Sequence, residues 1–390
     1  MDKYFNDTEK WLKFDIPVHT DKWHEFRTIG IDEWEGGVGA SECGKLIHNM
    51  DQYPPTPPEL YRHKIGMERP EFKMNEAIFH GIFSESTILN YWQFEDGQKS
   101  YMDRYSQYSI KQDERLKFRT AHKPSYYLVN KKIPWLFASL DSVVPKGSLI
   151  IGEGEETFDG ETALTDFPLE CKNVSEWVFK KYNGPEPKYI CQVHQQMLVS
   201  ESTYSEIVML VAGRELHLFP VHYDDNLANI IVESSYKFWQ RVLKGREHWK
   251  EYQILTIQNK PLAAQREMDQ IMHIEPEVAN NEAGERYLKN EYLKRAGVVQ
   301  KNSIAVSGDV ELFTSAKNYH KLGKVIKVLE QKRVEEKVKL MKHFNNSRAK
   351  FIKFGKNKKI NLATDGKLHL SGFSNYSEES AKSLLNKVVI

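Results

Sequence analysis

The stretch Leu169-Glu170-Cys171-Lys172 sets a carboxylate and an ammonium two residues apart. In a strand, alternate side chains face the same way, so Glu170 and Lys172 project together while Leu169 and Cys171 point into the packing. Such a pair suits phosphodiester hydrolysis. The carboxylate holds a hard divalent cation such as Mg²⁺, and the lysine orients or deprotonates the attacking water. Taken alone, the pair reads more readily as a surface ion pair. A second carboxylate, Asp141 in ASLDS (138–142), ends an apolar run where it could meet Glu170 across neighbouring strands, with Ser139 on its face. An aspartate at a strand end is also a frequent turn residue. Glu85 falls within the stripe Ile78, Ile82, Leu89 and Trp92 of a helix over 75–94. A carboxylate there is costly unless paired or metal-bound; one at the edge of the stripe would simply reach solvent. Gln192 follows on the next helix, where a polar residue also suits an exposed face.

These residues need elements to hold them. Residues 1–35 form an N-terminal lead with short helices around Trp11 and over 23–27. The glycines of EGGVGASE (35–42) mark a loop that opens a helix capped by Ser41. Pro54, Pro55, Pro57 and Pro58 interrupt the next stretch before the 75–94 helix. From 105 to 172 the pattern is β-like, strongest at 128–144 and 165–173. Between them the acidic, Gly-containing stretch 152–166, part of an insertion over about 145–166, reads as a hairpin or loop. A helix follows at 186–200, then two strands over 206–223 joined at Gly213-Arg214, then an amphipathic helix over 225–249. Beyond about residue 257 the helices are long and charged. Tyr319, Leu322, Ile326 and Leu329, continued after a slip by Val334, Val338 and Met341, form an apolar stripe suited to a helical hairpin or a partner-binding coil. Residues 359–373 read as a β-hairpin on Asp365-Gly366. The division expected is an α/β core over 1–255 and a helical, basic region over 256–390.

With 40% hydrophobic and 28% charged residues, the chain of 390 has the composition of a soluble globular protein. No stretch approaches the ~20 apolar residues that span a bilayer, and MDKYFNDTEKWLKF lacks the features of a signal peptide, so no membrane partner and a cytoplasmic location are expected. The three cysteines, Cys43, Cys171 and Cys191, show no CxxC spacing; they do not suffice for a four-thiolate zinc site or an iron–sulfur cluster. Net charge is +1, unevenly spread. Residues 317–359 carry fifteen Lys and Arg against three Glu, a local +12, so the rest carries −11. That imbalance suits a polyanion partner or a solvated basic helix.

In chain order, Glu85, Asp141, Glu170-Cys171-Lys172 and Gln192 follow the helix–strand–strand–helix progression of the PD-(D/E)XK nucleases. The blocks WHEFR (23–27), VGASE (38–42), HGIFSES (80–86), IPWLFASLD (133–141), LECKN (169–173) and YICQVHQQMLV (189–199) resemble, in order, those of its lambda-exonuclease/YqaJ-like viral recombinase branch. The resemblance covers about residues 20–245. It implies a restriction-endonuclease-like α/β core, a mixed central sheet flanked by helices. It also implies that Asp141, Glu170 and the Cys171 carbonyl ligate Mg²⁺ or Mn²⁺, that Glu85 helps hold a second metal, that Lys172 activates water and that Gln192 orients the site. Arg27, Ser41 and Ser139 match positions that cradle a terminal 5′-phosphate, a set whose guanidinium and hydroxyls can grip a dianion. His194 is expected to pack or face DNA, not to bind metal. The acidic hairpin is expected to point away from DNA or to guard the entrance.

The activity so implied is 5′-to-3′ exonucleolytic digestion of double-stranded DNA, feeding single strands to an annealing protein, from a homo-oligomer such as a ring-shaped trimer. An endonuclease of the same superfamily is the nearest alternative, favoured by the basic C-terminal third. A DNA-binding or assembly protein on an inactive nuclease core is the alternative of another class.

Overall fold

The computed structural model describes residues 4–17, 20–31, 34–47, 50–51, 53–70, 75–94, 119–148, 162–279, 282–296, 309–347, 351–354, 358–362 and 368–371. The chain divides into two compact units, Met1–Val298 and Val299–Ile390. The acidic stretch expected to form a hairpin lies, over 149–161, outside the described residues.

In the first unit the order is β1 (Trp11–Phe14), α1 (Asp21–Thr28), β2 (Val38–Gly39), a short 3-10 turn at Cys43–Leu46, α2 (Pro57–Lys64) and α3 (Glu76–Phe94). Then come β3 (Tyr127–Asn130), β4 (Leu136–Ser139), β5 (Ser142–Val144), β6 (Phe167–Val174), α4 (Glu176–Tyr182) and α5 (Pro187–Ser200). The unit closes with β7 (Tyr204–Val211), β8 (Glu215–His222), α6 (Asp225–Ile257), α7 (Pro261–Ile274) and α8 (Glu282–Ala296).

Local chemistry sets the helix starts. The Thr20 hydroxyl accepts from Trp23 N at 3.1 Å to open α1. Glu59 reaches back to Thr56 N at 2.7 Å in a capping box with Pro57 in the first turn of α2. Asp224 accepts from Asn226 N at 2.8 Å at the start of α6. Gly245, midway along α6, has no substitute, because a Cβ there would lie 2.2 Å from the Tyr61 hydroxyl.

Two four-stranded sheets result, in the orders β1-β3-β4-β2 and β5-β6-β7-β8. In the second, β6 and β7 are parallel and the outer pairs antiparallel. Strand β7 is buried along its whole length and apolar from Ile207 to Val211, whereas β6 sets Glu170, Lys172 and Asn173 among its apolar residues. Leu169, Cys171 and Val208 pack beneath Ile88 and Trp92 of α3. Ile207, Met209 and Val211 face Val193 and Met197 of α5. The mixed α/β architecture flanked by helices is the one the sequence leads one to expect.

Several details differ from that reading. The stretch around Trp11, expected as a helix, is strand β1, and residues 35–42 lead through β2 into a short 3-10 turn whose N-cap is Glu42, not Ser41. The run 128–144 is not one strand. Asn130 accepts from Lys132 N at 2.9 Å and turns the chain, Pro134 supplies no N–H to a ladder, and the run becomes β3, β4 and β5. The chain leaves the first sheet and joins the second across Leu140 and Asp141. The stripe on α3 is also shifted. Ser84, Ile88 and Trp92 are buried, whereas Ile82 is 48% exposed, so Glu85 lies beside the buried face and not among Ile78, Ile82 and Leu89. The hairpin over 206–223 forms as expected, turning on Ala212 and Gly213, both with positive φ.

The second unit contains α9 (Val310–Ser347) and a three-stranded sheet, order β11-β10-β9, of β9 (Phe351–Phe354), β10 (Lys358–Leu362) and β11 (Leu368–Ser371). Strands β10 and β11 pair antiparallel from Leu362↔Leu368 to Lys359↔Ser371; Asp365-Gly366 lies outside the described residues. Tyr319, Leu322, Ile326 and Leu329 of α9 are exposed. Among the described residues no helix is long and apolar enough to cross a membrane.

Candidate active site

The register Ser142↔Leu169 between β5 and β6 brings Asp141, one residue before β5, beside Glu170. Asp141 Oδ2 accepts the backbone N–H of Cys171 at 2.9 Å. Glu170 points to the α5 side of the sheet and is buried. Its Oε1 accepts from Gln192 Nε2 at 2.6 Å and also from the Lys172 ammonium. Its Oε2 accepts from Gln196 Nε2 at 2.6 Å, and the same amide reaches the Ser139 carbonyl at 3.2 Å. Asp141, the pair Glu170 and Lys172, and Gln192 therefore meet beside β6. Gln196 was not singled out in the sequence; its signal is its spacing, one helical turn after Gln192 on the same face.

Glu85 stands on the other side of β6, where its Oε2 pairs with Lys123 Nζ at 2.5 Å. It is close enough to Asp141 and Cys171 to act on both electrostatically. Lys123 is the second such residue, with no signal of its own in the sequence. His194 packs within the fold, its Nδ1 2.9 Å from the Ile190 carbonyl and its Nε2 accepting from Asp224 N at 3.3 Å.

Electrostatically the site is a strained assembly of like charges. Burial, then the adjacent Glu170 and Glu85, push the Asp141 carboxyl up to about 8, against the opposing pull of Lys172 and the Cys171 N–H. Burial works against the Lys172 ammonium, but Glu170 and Asp141 outweigh it and hold the lysine above its ordinary value.

Among the described residues no group of three or more His, Cys, Asp or Glu side chains is gathered as a ready-made metal site. The donors present are nevertheless hard oxygens. Asp141 and Glu170 are adjacent carboxylates whose mutual repulsion a divalent cation would relieve, and the buried Gln196 Oε1 has no hydrogen-bond partner. The residues fit such an ion.

A cleft of about 870 Å³ opens beside this cluster. Lys172 lines it together with Trp23, Arg27 and Ser41, so two of the three residues matched to a phosphate pocket share one space with the central lysine. Ile78 and Ile82 of α3 form an apolar part of the wall. Ser139 is exposed at the end of β4 but is not among the residues lining the cleft. Arg27 is held from behind. Its Nη2 lies 3.0 Å from Glu42 Oε1, and its guanidinium sits 5.2 Å from the ring centre of Trp23.

No curated protein matches this chain. Among solved structures, an alkaline exonuclease from Laribacter hongkongensis is 17% identical, with 60% of this chain and 97% of that one covered at a TM-score of 0.39. The same protein in complex with dAMP is 17% identical, with 55% and 92% covered at 0.37. The family comparison is specific: the YqaJ-like viral recombinase domain matches residues 22–203, a span that contains Arg27, Ser41, Glu85, Ser139, Asp141, Glu170, Lys172 and Gln192. Over residues 22–203 this chain is similar to the YqaJ-like viral recombinase domain.

Proposed function

We propose that the protein is a divalent-metal-dependent DNA nuclease, and that it digests double-stranded DNA from its ends in the 5′-to-3′ direction. The observation that carries this reading is the shared cleft, in which Lys172, beside the two carboxylates, faces the same space as Arg27 and Ser41. A hydrolytic centre next to a candidate phosphate grip suits cleavage measured from a chain end.

In this reading Asp141, Glu170 and the Cys171 carbonyl would hold Mg²⁺ or Mn²⁺, with Glu85 contributing to a second ion. A bound cation supplies Lewis acidity toward a phosphoryl oxygen and toward bound water. The protein's own residues do the positioning. Gln192 and Gln196 fix the two oxygens of Glu170 in a single orientation. Lys172, held in its charged form by Glu170 and Asp141, donates hydrogen bonds that orient water and the phosphate oxygens. Arg27 and Ser41, joined by Ser139 at the end of β4, grip the terminal 5′-phosphate and thereby set which bond lies over Lys172. Duplex DNA is the substrate, a single-strand annealing protein is the partner that receives the product, and a homo-oligomer is the working form.

The experiment is a comparison of linear and supercoiled duplex DNA, with and without a 5′-phosphate, in Mg²⁺. Mononucleotide release from linear, 5′-phosphorylated ends is expected. Equal cutting of closed circular DNA would overturn the end-dependent reading and favour an endonuclease.

A further inference from the structure

Glu42 follows Ser41 directly, yet its carboxylate has no evident place in a pocket meant for an anion. It is 8% exposed and carries three contacts. Oε1 accepts from Arg27 Nη2 at 3.0 Å, while Oε2 accepts from Lys64 Nζ at 2.8 Å and from Gly39 N at 2.8 Å. Lys64 is 1% exposed, and its ammonium also donates to the Arg27 carbonyl. One acidic side chain thus ties together the guanidinium of Arg27, a buried lysine from α2 and the backbone of β2. The backbone around this knot is fixed in turn by Arg246 of α6, which donates to the carbonyls of Thr28 at 2.7 Å and Lys64 at 2.9 Å. Although burial opposes it, the charges of Lys64 and Arg27 hold the Glu42 carboxyl down at about 2, so it stays ionised.

We infer that Glu42 is a positioning residue that selects for 5′-phosphorylated ends, with Lys64 as its fixed counterion. The inference rests on the reading of Arg27 as the phosphate grip and deepens it. Arg27 has a long, flexible side chain, and a free guanidinium spends rotamer entropy each time it closes on an anion. With one edge tied to Glu42 and its face against Trp23, the guanidinium is held in place where Arg27 lines the cleft. Lys64 is needed because an arginine and a carboxylate half-withdrawn from water would otherwise form a pair free to swing as a unit. Anchoring Glu42 from α2 and from the Gly39 N–H removes that freedom.

Charge and geometry pull in opposite directions here, which makes the idea testable. If Glu42 acted only through its charge, removing that charge would make the pocket more cationic and raise the preference for a phosphate. If it acts by holding Arg27, the preference must fall. The measurement is kcat and KM on linear duplexes bearing a 5′-phosphate or a 5′-hydroxyl, for wild type, Arg27→Ala, Glu42→Gln and the double variant Glu42→Gln/Lys64→Met. The double variant removes the buried cation with its partner and protects the comparison if Glu42→Gln alone folds poorly. Glu42→Gln and the double variant are expected to lower the phosphate preference by about tenfold, the loss of one charge-assisted hydrogen bond, mainly through KM on phosphorylated ends. Glu42→Asp, which keeps the charge, is expected to recover part of it. An unchanged or increased preference in folded Glu42→Gln or in the double variant would overturn the inference. If Arg27→Ala itself left the preference intact, it is the phosphate-pocket reading that would fail, whatever Glu42 did.

Discussion

Asp141 and Glu170 approach from different sheet strands, and a single backbone N–H, that of Cys171, is what holds Asp141 against the strand carrying Glu170. The chain brings two carboxylates together where Glu170 raises the cost of ionising Asp141.

That cost gives a stability prediction. The folded Asp141 carboxyl lies at about 8, above its ordinary 3.8, so the folded state binds this proton more tightly than the unfolded chain does. The associated stability is complete below about pH 4 and is lost as pH rises through about 8. In EDTA, Asp141→Asn should therefore melt with wild type near pH 4 and increasingly above it toward pH 8. A difference of a few degrees is expected, from about 1–2 kcal/mol. Thermal melts across that range check it; curves that stay parallel would contradict it.

Gln196 should behave as part of the site although it does not line the cleft. Replacing it by leucine leaves Glu170 Oε2 without its donor and frees the Ser139 carbonyl. Activity is expected to fall about 10–100-fold, with a higher Mg²⁺ concentration needed for half-maximal rate. Metal titrations of activity, beside a melt showing a folded protein, measure it.

For Glu85 the expected outcome separates function from stability. Its pair with Lys123 is 26% and 63% exposed at the two side chains, so solvent screens it. Glu85→Gln should cost less than about 1 kcal/mol in urea unfolding and still reduce cleavage strongly. If loss of activity tracked loss of folded protein, Glu85 would be structural.

Behind the site, Glu206 of β7 accepts from Arg119 Nη1 at 2.8 Å and from Trp92 Nε1 at 2.5 Å, tying α3 to the sheet. Both charged side chains are 1% exposed. Arg119→Leu leaves a buried carboxylate without its cation and should destabilise by about 3–5 kcal/mol, whereas adding Glu206→Gln should recover much of that loss. Chemical denaturation of the single and double variants tests the pair.

How much of this was legible in the sequence varies with the kind of signal. The period-two alternation around Glu170 and Lys172 was enough to put both on one face, and the turn at Gly213 was equally plain. The break at Leu140-Asp141 was not, because an apolar run reads as one strand unless sheet partners are known; β4 and β5 pair with different strands, a long-range fact. Glu85 was found for a reason the fold revises, since the 19-residue helix α3 buries Ser84, Ile88 and Trp92 and leaves Ile82 exposed. Glu42, Lys64, Lys123 and Gln196 went unmarked because each gains meaning only from a partner distant in sequence or hidden by an ordinary helical pattern.

The most direct test of the central reading is mononucleotide release from 5′-phosphorylated linear duplex by wild type and Lys172→Ala, each in Mg²⁺ and in EDTA. Wild type in Mg²⁺ should release nucleotides, EDTA should stop it, and Lys172→Ala should lower the rate about a hundred- to ten-thousand-fold while remaining folded. Release that persists in EDTA, or at the wild-type rate in Lys172→Ala, would contradict a metal-dependent centre built on Asp141, Glu170 and Lys172.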